Sequence, residues 1–120
     1  MAENTSSFLE NWRMQSRKGL LELLMLRELT TGDNYGYDLS ERLKNILGVQ
    51  FSDGALYSVL SRLTAIQAIR FYHEKSKSGP ARKYYAITDT GIVLLQQLER
   101  AWAETIAATQ TGPDRTEAEP

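Results

Sequence analysis

The segment Ser52–Gly91 constrains the fold of this 120-residue chain more than any other part of the sequence. It begins with the apolar spacing of a short amphipathic helix, whose expected inward side chains are Leu56, Val59, Leu60 and Leu63. Two runs rich in aromatic and β-branched residues follow, at about 69–75 and 82–87. The turn-forming residues 77–80, Lys-Ser-Gly-Pro, separate the two runs. The segment therefore predicts a helix followed by an antiparallel hairpin, after which Thr88 caps another helix.

Positive charge is concentrated in the same part of the chain. Residues 60–83 contain one acid, Glu74, and six basic residues: Arg62, Arg70, Lys75, Lys77, Arg82 and Lys83. This window has a net charge of +5, whereas the rest of the chain has eight basic and fourteen acidic residues and sums to −6. A positive region on a nearly neutral protein is typical of a surface that contacts phosphate groups. The local charge therefore favours a nucleic-acid partner, although the pI of the whole chain is only about 5.8.

Helical periodicity extends to both sides of this segment. One helical pattern runs from Phe8 to the breaker cluster at 30–34, and a second helix is expected from about Tyr37 to Leu47. A long apolar stripe follows Thr88 and ends where the sequence loses its periodicity near Thr109. The chain is thus expected to comprise a flexible N-terminus, a helix-and-hairpin domain, a C-terminal helix and a disordered tail: residues 1–7, 8–88, 89–108 and 109–120.

The composition excludes several classes of protein. The chain has no cysteine, which excludes disulfides, thiolate catalysis and Cys-ligated zinc and agrees with a reducing cytoplasm as its location. The longest apolar runs, such as residues 23–26, have four residues and are far too short to span a membrane. His73 is the only histidine, and neither a Gly-rich phosphate loop nor a spaced carboxylate pair accompanies it. We therefore expect no enzyme active site, no metal site and no cofactor.

Three helices followed by a hairpin predict a winged helix-turn-helix, a mainly α fold with a small β-hairpin. In this fold the third helix lies in the major groove of DNA, and the hairpin, or wing, contacts the duplex beside it. Short side chains at the start of that helix allow close approach, and Arg62 has the reach for a guanine contact. We expect the helix to choose the sequence and the wing to supply affinity. The predicted DNA-binding residues are Ser52, Asp53, Gly54, Ala55, Tyr57, Ser58, Ser61, Arg62, Lys75, Lys77, Arg82 and Lys83.

Four short motifs in these elements carry a more specific signal: Tyr35-Gly36-Tyr37-Asp38-Leu39, Gly54-Ala55-Leu56-Tyr57 with Leu60 and Arg62-Leu63, Ser78-Gly79-Pro80-Ala81-Arg82-Lys83-Tyr84-Tyr85, and Thr88-Asp89-Thr90-Gly91. Together they resemble the PadR family of bacterial transcriptional regulators, in its short form with one C-terminal helix. Two positions depart from the family pattern. The family commonly has Glu-Gly-Thr-Leu-Tyr where this chain has residues 53–57, and a glycine before the first strand where this chain reads 65–69, Ala-Ile-Gln-Ala-Ile.

The resemblance implies a homodimeric repressor that dimerises through its N- and C-terminal helices and binds a palindromic promoter site. It also implies a hydrophobic space at the dimer interface, where a planar aromatic ligand causes release of DNA. Trp12 and Trp102 are therefore candidates for an effector or dimer pocket, although dimer packing alone also accounts for both side chains. The alternative function is a winged-helix module that binds another protein without sequence-specific DNA binding.

Overall fold

The structure of the chain, a computed structural model, describes residues 2–111, with side chains from residue 4 onward. Within this range the chain forms five helices and three strands, and the strands make an antiparallel sheet in the order β1-β3-β2. The prediction of a mainly α fold with a small β-hairpin is confirmed. The elements in chain order are α1 (Ala2–Lys18), α2 (Leu21–Leu29), β1 (Asn34–Tyr35), α3 (Gly36–Leu47), α4 (Asp53–Ala65), β2 (Ile69–Glu74), β3 (Arg82–Ile87) and α5 (Asp89–Thr111).

The two terminal helices are longer than the periodicity predicted. Residues 2–7, which were expected to be loose, form the first turns of α1, and residues 109–111 of the expected tail continue α5. Neither proline nor glycine interrupts these stretches, so the backbone hydrogen bonds of each helix continue into polar sequence. Polar residues remove the apolar period that reveals a helix without ending the helix itself. The rest of the predicted tail, residues 112–120, lies outside the described residues.

The N-terminal apolar pattern forms two helices where one was predicted. α1 ends at Lys18, and a turn at Gly19 and Leu20 separates it from α2. The Leu20 amide donates to the Arg17 carbonyl oxygen at 3.0 Å, the tighter hydrogen bond of a helix end. Glycine is a poor helix former, which explains why the break occurs here. The turn separates an exposed helix from a central one.

The core surrounds α2. Its apolar side chains are buried against α3, α4, α5 and β3, and the most completely enclosed of them is Leu26. The predicted inward side chains of α4 are all buried as well: Leu56, Val59, Leu60 and Leu63. α4 therefore has one face fixed in the core and leaves the opposite face to solvent.

The sheet contains one strand that the sequence did not reveal. β1 is only two residues long and pairs Asn34 with Tyr85 and Tyr35 with Tyr84. A two-residue strand inside a breaker cluster has no measurable alternation, so periodicity cannot detect it. The predicted hairpin of β2 and β3 pairs in register from Ile69–Ile87 at its base to Glu74–Arg82 near its tip.

Two side-chain caps fix the helices on either side of the hairpin. The Ser52 hydroxyl accepts a hydrogen bond from the Ala55 amide at 3.1 Å, so Ser52 is the N-cap of α4. The Thr88 hydroxyl accepts from the Gly91 amide at 3.1 Å and donates to the carbonyl oxygen of Gln67 at 2.6 Å, with that of Ala68 also near at 3.0 Å. Thr88 therefore caps α5 and also joins it to the segment between α4 and β2.

Gly91 allows this close approach. A Cβ at Gly91 would overlap the carbonyl oxygen of Ala68 and lie 2.7 Å from Cγ1 of Ile87. Both neighbours belong to well-packed backbone or core, so neither can move away without distortion. The Thr-x-x-Gly motif thus has a steric origin: the threonine caps the helix, and the glycine lets its first turn contact the base of the hairpin.

We predict that Gly91→Ala lowers the free energy of unfolding by about 3 kcal/mol, because the added methyl group forces the α5 junction apart. This loss should outweigh the gain of about 1 kcal/mol that alanine normally brings to a helix interior. Urea unfolding followed by circular dichroism measures the change. Gly54→Ala in α4 is the matched control, because a Cβ there would meet nothing closer than the Ser52 hydroxyl at 3.9 Å. Equal stabilities of the two variants would contradict the steric interpretation.

Candidate nucleic-acid interface

The exposed face of α4 carries only small side chains along its centre. Gly54, Ser58, Ser61 and Ala65 are spaced by four, three and four residues, so they form one line along the helix, and all four are exposed. This line lies opposite the buried leucines and valine of α4. We call these four residues the small-residue line. A flat surface can approach the α4 backbone more closely here than on a helix with long side chains.

The N-terminal end of α4 has its acid balanced by a lysine. The carboxylate of Asp53, a predicted contact residue, lies 3.4 Å from Nζ of Lys44, which is also 3.7 Å from Glu41. This pairing reduces the repulsion that a free carboxylate would exert on a nearby phosphate. Ser52 and Ala55 complete this end of the helix, Ser52 as the cap and Ala55 as a partly exposed neighbour.

Tyr57 contributes to packing as well as to the surface. Its ring lies against Gly36, where an added Cβ would come within 3.1 Å of the Tyr57 hydroxyl. About half of Tyr57 remains exposed. The contact joins α4 to the first turn of α3, and so fixes the angle between the two helices of the helix-turn-helix. Sequence reasoning assigned Tyr57 to DNA contact alone and missed this second role.

Arg62 lies beside the small-residue line, on the flank of α4 that faces α2. Its guanidinium forms an ion pair with Glu22 of α2, and its Nη1 is 3.4 Å from the Ser58 hydroxyl. From the sequence, Arg62 was expected to be free to reach a guanine. In the structure a base contact would require the guanidinium to leave Glu22.

The basic residues of the wing are divided among three places. Lys75 and Lys77 lie in the exposed loop at the tip, whereas Arg82 and Lys83 are consecutive in β3 and therefore point to opposite faces of the sheet. Arg82 lies over the Tyr35 ring with its Cζ 4.8 Å from the centroid, and the Lys83 Nζ is 3.9 Å from the centroid of Phe71. These cation–π contacts hold both charges close to the sheet.

A cluster of tyrosines stiffens the Arg82 face of the wing. Tyr72 stacks on Tyr84 with centroids 5.8 Å apart and planes 17° apart, and Tyr35 lies 5.7 Å from Tyr84. The Tyr72 hydroxyl donates to Asp33 at 2.7 Å, and this hydrogen bond raises the pKa of Tyr72 to about 12. A hydrogen bond from Tyr35 to Asp38 raises the pKa of Tyr35 in the same way. These contacts give the base of the wing a rigid face on the Arg82 side of the sheet.

The opposite face of the wing shares a groove with α4. Ser61 and Ala65 of the small-residue line form one wall, and Lys83 and Phe71 of the hairpin form the other. The volume of this groove is about 340 Å³. It brings hydroxyl donors, a lysine charge and an exposed aromatic ring onto one continuous surface. We call it the α4–wing groove.

Trp12 and Trp102 occupy different surfaces of one chain. Trp12 is 58% exposed on α1, together with Phe8 and Leu9. Trp102 is 39% exposed and lines a groove of about 240 Å³ between α2 and α5, whose other lining residues are Gly19, Leu20, Glu22, Leu23, Leu98, Ala101 and Thr105. Trp12 is not part of this lining. We call this second concavity the Trp102 groove.

Among residues 4–111, no group of three or more His, Asp or Glu side chains is arranged to hold a metal ion. His73 is exposed on β2, with its ring edge-on to Phe71 at 6.1 Å. No helix in the described part of the chain is long and apolar enough to cross a membrane.

Comparison with known proteins places this geometry in a family. The sequence profile of the "Transcriptional regulator PadR-like family" matches residues 25–97, more than half of the chain. An uncharacterised protein of Lysinibacillus sphaericus is 35% identical over 89 residues, which cover 72% of this chain and 82% of that protein.

Solved structures give the same result. A PadR family transcriptional regulator from Eggerthella lenta superposes with a TM-score of 0.81 at 25% identity, over 91% of this chain and 95% of that one. A PadR-like transcriptional regulator from Bacillus cereus superposes with a TM-score of 0.69 at 31% identity, over 83% and 99%. Bacillus subtilis PadR in complex with operator DNA matches with a TM-score of 0.59 at 27% identity, over 66% of this chain and 45% of that one. The chain therefore belongs to the PadR-like family of transcriptional regulators, which are not enzymes.

Proposed function

We propose that this regulator is a cytoplasmic, homodimeric repressor that binds a palindromic promoter site through α4 and the wing. The α4–wing groove carries the proposal, because it joins the small-residue line to Lys83 on one surface. The small-residue line would face the base edges in the major groove, and the lysines of the wing would contact phosphates. Bacillus subtilis PadR, a structural relative, has been solved in complex with operator DNA, which supports DNA as the partner.

The charge distribution supports the same orientation. Lys75 and Lys77 at the wing tip are exposed, and Asp53 is paired with Lys44, so the surface around α4 and the wing is positive. Neutralising phosphates with such side chains releases counterions from DNA, which makes affinity depend on salt. Ser58 and Ser61 can donate to or accept from base edges without preventing close approach.

Apolar exposure on α1 supports the homodimer. Phe8 is 72% exposed and Trp12 58% exposed, and none of the α1 side chains described, residues 4–18, belongs to the buried core. A helix with such side chains in water gains little stability from packing against its own chain. A second copy of the chain would cover these side chains. The Trp102 groove, on the neighbouring α2–α5 surface, is the proposed site of a planar aromatic effector that weakens DNA binding.

We predict that Ser61→Glu weakens binding to the regulator's own promoter region at least ~30-fold, because a carboxylate in the α4–wing groove repels phosphate and is desolvated against bases. Fluorescence anisotropy with a labelled duplex at several salt concentrations measures the effect. Gln96→Glu on α5 adds the same charge at an exposed position away from this groove and should change affinity by less than about two-fold. If neither the wild type nor the variants bound any duplex in a salt-sensitive manner, the domain would instead be a protein-interaction module.

We predict that replacing both Phe8 and Trp12 by serine converts a dimer into a monomer. Light scattering after size exclusion should give twice the 13.6 kDa chain mass for the wild type and a single chain mass for the double variant at the same concentration. Ile66→Ser, which removes another exposed apolar side chain, should remain dimeric. A monomeric wild type would contradict the proposed assembly.

We predict that planar aromatic compounds quench the fluorescence of Trp102 by stacking in the Trp102 groove. The measurement uses a Trp12→Phe variant, in which Trp102 is the single remaining tryptophan. A ligand that acts as an effector should also lower DNA affinity in the same variant. Flat titrations across such compounds would show that regulation does not operate through this groove.

A further inference from the structure

One basic side chain of the proposed DNA surface is already paired with an acid. Among the described residues, the wing's basic side chains at 75, 77, 82 and 83 form no ion pair, whereas Arg62 of α4 pairs with Glu22 of α2. The two residues are forty positions apart in sequence, so the pair joins two separate helices. Arg62 therefore differs from the other basic residues of this surface, because a carboxylate of the same chain competes with DNA phosphates for its guanidinium.

The guanidinium of Arg62 lies between Ser58 of the small-residue line and Glu22 of α2. Nη2 of Arg62 contacts the Glu22 carboxylate, and Nη1 remains 3.4 Å from the Ser58 hydroxyl. The Arg62 side chain is 61% exposed, and the Glu22 side chain only 29%. Glu22 is carried by the central helix, between the buried Leu21 and Leu23. The acid is therefore the fixed partner, and the arginine is the one that can move.

We propose that Glu22 holds Arg62 off the duplex and so limits the affinity of the regulator for DNA. The inference rests on the proposed function, because it concerns the same surface of α4. Arg62 must leave the Glu22 carboxylate before it can neutralise a phosphate. The binding free energy gained from the phosphate contact is therefore reduced by the loss of the ion pair with Glu22. The regulator binds DNA less tightly than its number of basic residues would allow.

The same carboxylate connects two surfaces of the molecule. Glu22 lines the Trp102 groove and also pairs with Arg62 of α4. A change in the position of the Glu22 side chain at the groove therefore alters the restraint on Arg62. Differential contacts of this kind are what couple one site to another.

The test compares the affinity of Glu22→Gln and wild type for the promoter duplex over a range of salt concentrations. The substitution keeps the side-chain shape and removes the charge, and thermal unfolding by circular dichroism checks the fold. We expect Glu22→Gln to bind about three-fold more tightly and with a salt slope steeper by about 0.9, the value for one additional phosphate contact. Glu22→Ala, which also removes the hydrogen-bond acceptor, should bind at least as tightly as Glu22→Gln.

Arg62→Ala identifies the side chain responsible for the gain. Combined with Glu22→Gln it should abolish the gain, because the side chain that the loss of Glu22 would release is then absent. Glu99→Gln is the matched control: it removes an equal charge from a pair with Arg27 that lies outside α4 and the wing. Its affinity should equal that of the wild type.

Three results would overturn the inference. An unchanged or weaker Glu22→Gln, with wild-type binding intact, would show that Glu22 does not restrain Arg62. A gain that persists in the Arg62→Ala background, or that Glu99→Gln reproduces, would be a general charge effect. If neither the wild type nor any variant bound DNA, the proposed function itself would fail.

Discussion

The burial of α2 is the constraint on which the other elements depend. Its leucines and methionine contact α3, α4, the sheet and α5, so these four parts of the fold are oriented relative to one helix. The line of small side chains on α4 faces outward because the opposite side of α4 is fixed against α2. Ala68, Thr88 and Gly91 position the base of the hairpin, because the first turn of α5 packs there against the backbone that precedes β2. α4 and the wing can share a groove only because both pack against this common core.

Features with a local signal could be predicted from the sequence. The inward positions of α4, its Ser52 cap and the bounds of β3 follow from periodicity and cap chemistry within a few residues. The turn at Gly19 was not predicted, because apolar residues on both sides continue a helical pattern across it. β1 was missed since two residues show no alternation, and its pairing is visible only once Tyr84 and Tyr85 lie beside it.

Features that depend on distant residues could not be predicted. The residues of the candidate site were named largely from spacing and charge, and the structure brings Ser61 and Lys83 into one groove. It also pairs Arg62 with a glutamate forty residues away and packs Tyr57 against Gly36. No local pattern encodes these contacts, because they arise only after α2, α3 and α4 have packed. Tertiary packing thus determines which of the candidate cations are free and which are occupied.

The small side chains along α4 have a consequence for how an operator would be distinguished from other DNA. Gly54 and Ala65 offer no polar side-chain group to a base edge, and Ser58 and Ser61 offer hydroxyls that tolerate several hydrogen-bonding patterns. With the one long cation of this helix engaged elsewhere, few side chains remain for bidentate recognition. If α4 binds DNA as proposed, sequence preference would come largely from groove width, duplex flexibility and bridging water, and base pairs that no side chain contacts would contribute to it. An operator read in this way is defined more by the shape of the double helix than by a short list of required bases.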